Sequence, residues 1–112
     1  MIFKIVRRQE WAEAEKSGAF KGSLDDKRDG FIHFSAAHQL RGTLEKHFAH
    51  EDGLLLVACD PSVLGQSLKW EVSRGGDKFP HLYGDLPLTL VGSITEIRRD
   101  ASGRPILPPQ IP

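Results

Sequence analysis

The sequence predicts an α+β protein consisting of a single domain, residues 1–112. Three observations lead to this fold class. The chain has 112 residues, which matches one domain of ordinary size. Strand and helix patterns alternate in the first half, whereas strand patterns dominate the second half. One predicted strand, Leu54–Cys59, is apolar throughout, as expected for a strand buried on both faces.

The N-terminal part is predicted to form a strand and then a helix. Residues 2–6 are β-rich and form the first strand. Residues 9–17 contain strong helix formers, and Trp11 and Ala14 are three residues apart on one helix face. Gly18 is placed as the C-terminal cap, because glycine adopts the left-handed conformation of that position without strain.

A second strand and a second helix are predicted after a turn-rich segment, residues 21–30. Residues 31–34 form this strand, and Ser35 is a suitable N-cap for a helix over residues 36–49. That helix carries apolar side chains at four-residue steps, which is typical of a helix facing the core: Leu40, Leu44 and Phe48.

The rest of the chain is predicted to be mainly strands. Leu54–Cys59 is placed centrally in its sheet, and residues 60–65 form one helical turn. Leu68–Val72 alternates between apolar and polar residues, and residues 88–97 form a long last strand. From about residue 101 to 112 the chain is predicted to be an extended, proline-rich tail.

Composition restricts the class of partner. Fifteen basic residues balance fifteen acidic ones without a long block of either sign, so we expect a small-molecule partner and no nucleic-acid backbone. Cys59 has no second cysteine to pair with, and no signal-peptide pattern is present, which indicates a cytoplasmic protein. The longest apolar run is too short to cross a membrane. Neither a long heptad pattern nor an isolated apolar helix face indicates a dimer, so the sequence leaves the oligomeric state open, with a monomer slightly favoured.

Two polar residues share a face of the second predicted strand. Side chains two apart point the same way, so His33 and Ser35 lie together, opposite Ile32 and Phe34. The start of the following helix would bring free backbone N–H groups to the same place, which suits a polar or anionic ligand. The alternative is that His33 is a half-exposed strand residue and that Ser35 only caps the helix.

A later segment, FPHLYG, repeats this pattern. His81 and Tyr83 share a face if the segment is extended, and Gly84 permits a sharp turn beside them. Glu71 lies on the polar face of its strand and is a candidate for stabilising positive charge in a cleft. Alternatively, His81 and Tyr83 belong to a structural loop and Glu71 is simply solvated.

Other sites are less well supported by the sequence. The histidines and Cys59 do not form the closely spaced ligand pairs of a metal site, so no metal is predicted. Cys59 ends a buried strand, where a thiol is usually inert. No glycine-rich phosphate loop is present.

Three blocks of the chain, GFIHFS, LKWE and FPHLYGDLP, occur in an order that resembles the small bacterial proteins of domain-of-unknown-function family nine-five-two. The resemblance extends over nearly the whole chain. It implies a fold related to the ADP-ribosyltransferase superfamily, with a split, mainly antiparallel sheet and two main helices around a cleft. The chain has Lys4 where members of that family carry a histidine.

The resemblance also implies roles for individual residues. His33 with Ser35 looks similar to the superfamily pair that contacts the ribose and carboxamide side of NAD. Tyr83 corresponds to the aromatic residue that stacks on nicotinamide. Glu71, or failing that Glu96, corresponds to the glutamate that favours the oxocarbenium-like transition state as nicotinamide leaves.

We therefore expect a polar cleft lined by ligand-binding His33, Ser35, His81 and Tyr83 and by a catalytic Glu71. The expected ligand is NAD or another ADP-ribosyl or nucleotide-like molecule, and no other cofactor is expected. An enzyme of this kind would transfer or hydrolyse at the N-glycosidic bond of NAD. A non-catalytic ligand- or partner-binding module of the same fold is the alternative. A purely structural domain would leave these side chains pointing apart.

Overall fold

A curled five-stranded sheet lies at the centre of the protein, which the computed structural model describes over residues 1–112 apart from the side chain of Arg74. In spatial order its strands are β10 (Pro105–Ile106), β9 (Val91–Arg99), β5 (Leu54–Cys59), β1 (Ile2–Arg7) and β4 (Ser35–Ala36). A second sheet contains β3 (Ile32–His33), β7 (Lys78–Leu82) and β6 (Leu68–Val72), and a third contains β2 (Ala19–Phe20) and β8 (Leu86–Pro87). Every pair of neighbouring strands in these sheets is antiparallel.

Three α-helices accompany the sheets: α1 (Arg8–Ser17), α2 (Leu24–Asp29) and α3 (Leu40–His47). Short 3-10 segments cover Ala37–Gln39, Pro61–Ser67 and Leu88–Leu90. The domain is thus a mixed, mainly antiparallel α+β structure, as the sequence predicts. Gly18 ends α1 at φ 85°, and its N–H donates to the carbonyl of Ala14, which confirms the predicted cap.

The central strand β5 is buried along its whole length, as predicted, because apolar layers cover both faces of the central sheet. On one face, side chains such as Val57 pack with Trp11 of α1. On the other, side chains such as Leu56 pack with Leu40 and Leu44 of α3. A strand buried on both faces must be apolar at every position, which explains its lack of alternation.

The prediction that Ser35 caps the second helix is wrong. Ser35 lies in β4, where it pairs with Phe3, and its hydroxyl lies 2.9 Å from the hydroxyl of Thr43. The 3-10 turn begins after Ala36, whose N–H donates to the Gln39 side chain at 2.9 Å. Pairing with the central sheet keeps Ser35 extended, so the helical segment starts later.

Three further boundaries differ from the sequence prediction. The turn-rich segment contains α2, and the expected strand over residues 31–34 is divided between two sheets. After β3 the N–H of Phe34 donates to the carbonyl of Pro80, and the chain then joins the central sheet as β4. The last long strand begins at Val91 after a 3-10 turn.

The C-terminal tail packs against the domain. Its strand β10 pairs with β9, and Ile111 is buried in the apolar layer under α3. No helix within the described part of the chain is both long and apolar enough to cross a membrane.

Candidate functional site

A cleft of about 430 Å³ opens where the two larger sheets separate. The strand β4 pairs with β1 only at Ile2 and Phe3, so the edge of β1 from Lys4 to Arg7 has no strand beside it on that side. The three-stranded sheet and α2 form the facing wall. The described lining residues are mainly aromatic, basic, acidic and hydroxyl side chains, among them Phe3, Lys4, Arg7, Ser23, Asp25, Asp26, Arg28, Asp29, His33, Phe34, Ser35, Lys46, Phe48, Phe79 and His81.

Asp26 is the buried centre of the polar wall. Its side chain is only 2% exposed, and Lys4 Nζ lies 3.0 Å from each carboxylate oxygen. Its Oδ1 also accepts from the backbone N–H of His33 at 3.1 Å and lies 2.6 Å from His33 Nδ1. This carboxylate therefore fixes the positions of Lys4 and His33 together.

The first turn of α2 places Asp26 in this position. The Ser23 hydroxyl accepts from the N–H of Asp26, and Asp26 Oδ2 accepts from the N–H of Ser23 at 2.9 Å, which forms a capping box. Gly22 precedes this box at φ 108°, and a Cβ there would lie 2.8 Å from the Asp26 Cβ. Glycine is thus required for the close approach of the chain to Asp26.

The charges of Asp26 and Lys4 depend on each other. Burial raises the pKa of Asp26, but the hydrogen bond from His33, the charge of Lys4 and the Ser23 N–H outweigh it and hold the pKa well below its ordinary value. Burial lowers the pKa of Lys4, and Asp26 opposes that shift. The carboxylate is therefore ionised at neutral pH and partners both the lysine and the imidazole.

His33 lies between two carboxylates. Its Nδ1 faces Asp26, and its Nε2 lies 3.0 Å from an oxygen of Asp29. The Phe31 ring packs against it with ring centres 4.6 Å apart. The imidazole is thus held on three sides while it remains a third exposed, at 33%.

His81 faces His33 directly across the β3–β7 pair, and the two ring centres are 5.4 Å apart. Its Nδ1 lies 2.9 Å from Glu71 Oε1, and the Tyr83 hydroxyl donates to the same oxygen at 2.7 Å. Hydrogen bonds from Tyr83 and His81 hold the pKa of Glu71 below its ordinary value. Because a carboxylate only accepts, Nδ1 of His81 carries a proton.

The other ring nitrogen of His81 is unusual. The side chain is 5% exposed, and its Nε2 is buried without a hydrogen-bond partner among the described residues. Buried polar nitrogens are nearly always paired, so an unpaired one in the wall of a cleft indicates a place for a ligand or a water molecule.

The structure brings the predicted site residues into one region, in two layers. His33, Ser35 and His81 line the cleft directly. Glu71 and Tyr83 are absent from its described lining and lie behind His81, to which Glu71 is bonded. The Phe31 ring contacts residues of both layers: its centre lies 4.6 Å from that of the His33 ring and 5.2 Å from that of the Tyr83 ring. The side chains do not point apart, and their predicted ligand and catalytic roles stay predictions.

Two other predictions concern residues outside this cluster. Glu96, the second choice for the acidic residue, forms an ion pair with Arg8 at 2.9 Å and is not part of the described lining. Burial raises the pKa of the Cys59 thiol to about 11, as expected for an inert packing residue. Among the described side chains, no three of the metal-ligating kind are grouped to hold an ion.

Sequence reasoning missed Lys4 and Asp26 as site residues. Both left a signal: a lysine inside the otherwise apolar strand IFKIV, and the serine and aspartate of GSLDD at the spacing of a capping box. A charged residue in a buried strand needs a partner, but the sequence does not show which acidic residue supplies it.

This fold and cleft define a small α+β protein with a paired-histidine site. The chain belongs to the family described as Protein of unknown function (DUF952), whose model matches residues 5–94. This confirms the family resemblance seen in the sequence.

Solved structures of a relative have the same fold. The crystal structure of protein CC0527 from Caulobacter crescentus is 45% identical, has a TM-score of 0.89, and the match covers 94% of this chain and 92% of that one. The solution NMR structure of CC0527 is 45% identical with a TM-score of 0.83, and the match covers 93% and 90% of the two chains. Among curated proteins, none matches this chain.

Proposed function

We propose that the cleft binds NAD or another ADP-ribosyl, nucleotide-like ligand, with the ribose against His33 and His81. The observation that carries the proposal is the buried Nε2 of His81 in the cleft wall, which has no hydrogen-bond partner in the part of the chain that the structure describes. In the tautomer that carries its proton on Nδ1, the imidazole offers Nε2 as an acceptor for a ligand hydroxyl. The cleft also has the size and mixed polarity of small-ligand sites, which measure about 300–1,000 Å³.

The charges around the cleft support a ligand with phosphates. Of the four cations in the described lining, three already pair with carboxylates: Lys4, Arg7 and Arg28. Lys46 makes no ion pair with any described residue, so it is the cation that most readily meets a diphosphate. Phe48, in the same wall, offers an apolar surface for a base or a ring.

The proposal extends to cleavage of the N-glycosidic bond of NAD. Water would lose a proton to His81 Nε2 as its oxygen bonds to the anomeric carbon, and the bond to nicotinamide would break with its electrons leaving on nicotinamide. Glu71 would then act through His81, by stabilising the protonated ring, and would be a positioning residue. An acceptor hydroxyl in place of water would give ADP-ribosyl transfer.

One observation favours a second candidate, a module of the same fold that binds the ligand without turnover. The described carboxylates of the cleft wall are all engaged: Asp26 with Lys4 and His33, and Asp25 and Asp29 with Arg28. Charge that develops at the anomeric carbon would therefore meet no unpaired carboxylate.

Isothermal titration with NAD and with ADP-ribose tests binding. We expect saturable binding to the wild type and a loss of at least about tenfold, or 1.4 kcal/mol, in His33→Ala. His38→Ala is the matched control, because His38 is exposed and outside the described lining. An affinity unchanged in His33→Ala, or no binding to the wild type, would contradict the proposal.

Release of nicotinamide, followed by chromatography, separates the enzyme from the module. An enzyme releases nicotinamide from NAD, and Glu71→Gln lowers the rate more than it lowers affinity because Glu71 acts through His81. Binding of ADP-ribose without any release of nicotinamide supports the binding module.

A further inference from the structure

The strand β6 has an unoccupied edge. It lies at the end of the three-stranded sheet and pairs with β7 on one side, and no described strand pairs with it on the other. Two backbone hydrogen bonds just beyond the ends of β6 show which of its residues bond to β7. The Tyr83 N–H donates to the Ser67 carbonyl, and the Ser73 N–H donates to the Asp77 carbonyl. Since bonded residues alternate along an antiparallel ladder, the backbone groups of Lys69 and Glu71 face β7.

It follows that the N–H and carbonyl groups of Trp70 and Val72 point away from the sheet. Their side chains are also exposed, at 46% for Trp70 and 65% for Val72. An edge strand with free backbone groups and exposed apolar side chains is a template for pairing with another strand.

We propose that two copies of this chain associate by antiparallel pairing of their β6 strands around a two-fold axis at Trp70. Trp70 would lie opposite the partner's Trp70 and exchange two backbone hydrogen bonds with it. The two three-stranded sheets would thus join into one continuous sheet. The sequence pattern alone favoured a monomer because it does not reveal which strand lies at the edge.

The two charged residues of β6 favour a second copy of this chain as the partner, and they favour one register of the paired strands. In the pairing centred on Trp70, each Lys69 lies opposite the partner's Glu71, at a non-hydrogen-bonded pair where side chains are closest. A shift of two residues either way would place Lys69 opposite the partner's Lys69, or Glu71 opposite the partner's Glu71. A shift of one residue would place the charged face of one strand beside the apolar face of the other. Only the centred register pairs every charge with its opposite.

Both charged side chains are available for this contact. Glu71 is 39% exposed, and its bonds to His81 and Tyr83 both use Oε1. Lys69 is exposed and lies over the Tyr83 ring, with Nζ 5.4 Å from its centre. Two five-residue strands bury less than the roughly 1,200–2,000 Å² of a stable interface, so the dimer should be reversible and concentration-dependent.

Sedimentation equilibrium over a range of protein concentrations tests the proposal, which does not depend on the ligand of the cleft. The wild type is expected to show a monomer–dimer equilibrium. Lys69→Glu and Glu71→Lys each place like charges opposite one another and should raise the dimer Kd by at least about fivefold. The double variant Lys69→Glu/Glu71→Lys restores opposite charges at both positions, so its Kd should return towards that of the wild type.

The control is Lys21→Glu, which makes the same charge change in an exposed loop outside β6 and should leave the Kd unchanged. Trp70→Lys, with circular dichroism to verify folding, provides a second test that does not touch Glu71 and should also weaken the dimer. A wild type that is monomeric at every concentration would overturn the proposal. So would single variants that dimerise normally, or a double variant no tighter than the single ones.

Discussion

His33 and Asp26 are joined twice: the His33 ring nitrogen Nδ1 lies 2.6 Å from Asp26 Oδ1, and the His33 backbone N–H donates to the same oxygen at 3.1 Å. One buried carboxylate thus positions both the ring and the strand that carries it. Since Asp26 also holds Lys4, the polar wall of the cleft and the stability of the fold depend on the same residue.

We expect Asp26→Asn to destabilise the protein by about 3–5 kcal/mol at pH 7, because it leaves a buried lysine without its counter-charge. Denaturant unfolding measures the loss. Asp25→Asn is the matched control in the same helical turn; Asp25 is exposed, so the loss of its ion pair with Arg28 should cost far less stability than the change at Asp26. Equal losses in the two variants would contradict the central position of Asp26.

The stabilisation by Asp26 should depend on pH. Its folded-state pKa lies below the ordinary value of 3.8, so the unfolded chain takes up the proton first as pH falls. The contribution is therefore complete above the unfolded pKa and declines as pH falls below about 4 towards the folded pKa. Unfolding curves from pH 7 to pH 3 should show the wild type and Asp26→Asn converging on the acid side. A constant difference in stability would show that folding does not lower the pKa of Asp26, which would contradict its role as the ionised partner of Lys4 and His33.

A double-mutant cycle of Lys4→Met and Asp26→Asn tests the coupling of the buried pair. Each single change leaves one charged or polar partner buried, whereas the double change removes both charges. We expect the double variant to lose less stability than the sum of the single losses, by about 1–3 kcal/mol. Additive losses would mean that the two side chains do not stabilise each other.

Gly22→Ala should destabilise the protein more than Gly18→Ala. Both glycines have positive φ, but a Cβ at Gly18 meets nothing within 4 Å, whereas one at Gly22 meets the Asp26 Cβ at 2.8 Å. Backbone strain alone costs about 1–2 kcal/mol at either position, and the clash adds to it at Gly22. Thermal unfolding of the two variants gives the comparison, and an equal loss at both sites would indicate that α2 moves aside easily.

Cys59 should resist alkylation in the folded protein. The thiol is buried in the central strand, and burial raises its pKa to about 11, so little thiolate is present at pH 8. Mass spectrometry after treatment with iodoacetamide should show slow labelling of native protein and fast labelling in denaturant. Fast labelling of native protein would indicate that the pairing between β5 and β9 opens frequently.

The parts of the fold that followed from the sequence are those controlled by local pattern. The all-apolar strand β5 was correctly predicted to be central, because only burial on both faces explains its composition. The bounds of β6 and the Gly18 cap were also correct. Ser35 was assigned wrongly because strand pairing with Phe3, a contact distant in sequence, overrode its preference for a helix N-cap.

For the candidate site, strand alternation predicted that His33 shares a face with Ser35 and that His81 shares a face with Tyr83, whereas the family resemblance placed both pairs with Glu71 in one cleft. The side chains of His33, His81 and Glu71 lie on one face because β3, β7 and β6 pair in register, so that the alternation of side chains visible in the sequence continues from strand to strand. Lys4 and Asp26 could not be paired from sequence, because they are 22 residues apart and meet only when α2 packs against the edge of β1.

We propose that one ADP-ribosyl ligand contacts His33 and His81 together. Ring resonances of the five histidines in a ¹³C–¹H NMR titration with ADP-ribose test it most directly. We predict that the His33 and His81 signals shift together with one saturation curve, while those of exposed His38 and His50, outside the described lining, stay in place. If saturating ADP-ribose leaves the His33 and His81 signals unmoved, or moves all five alike, the two histidines do not form the proposed binding site.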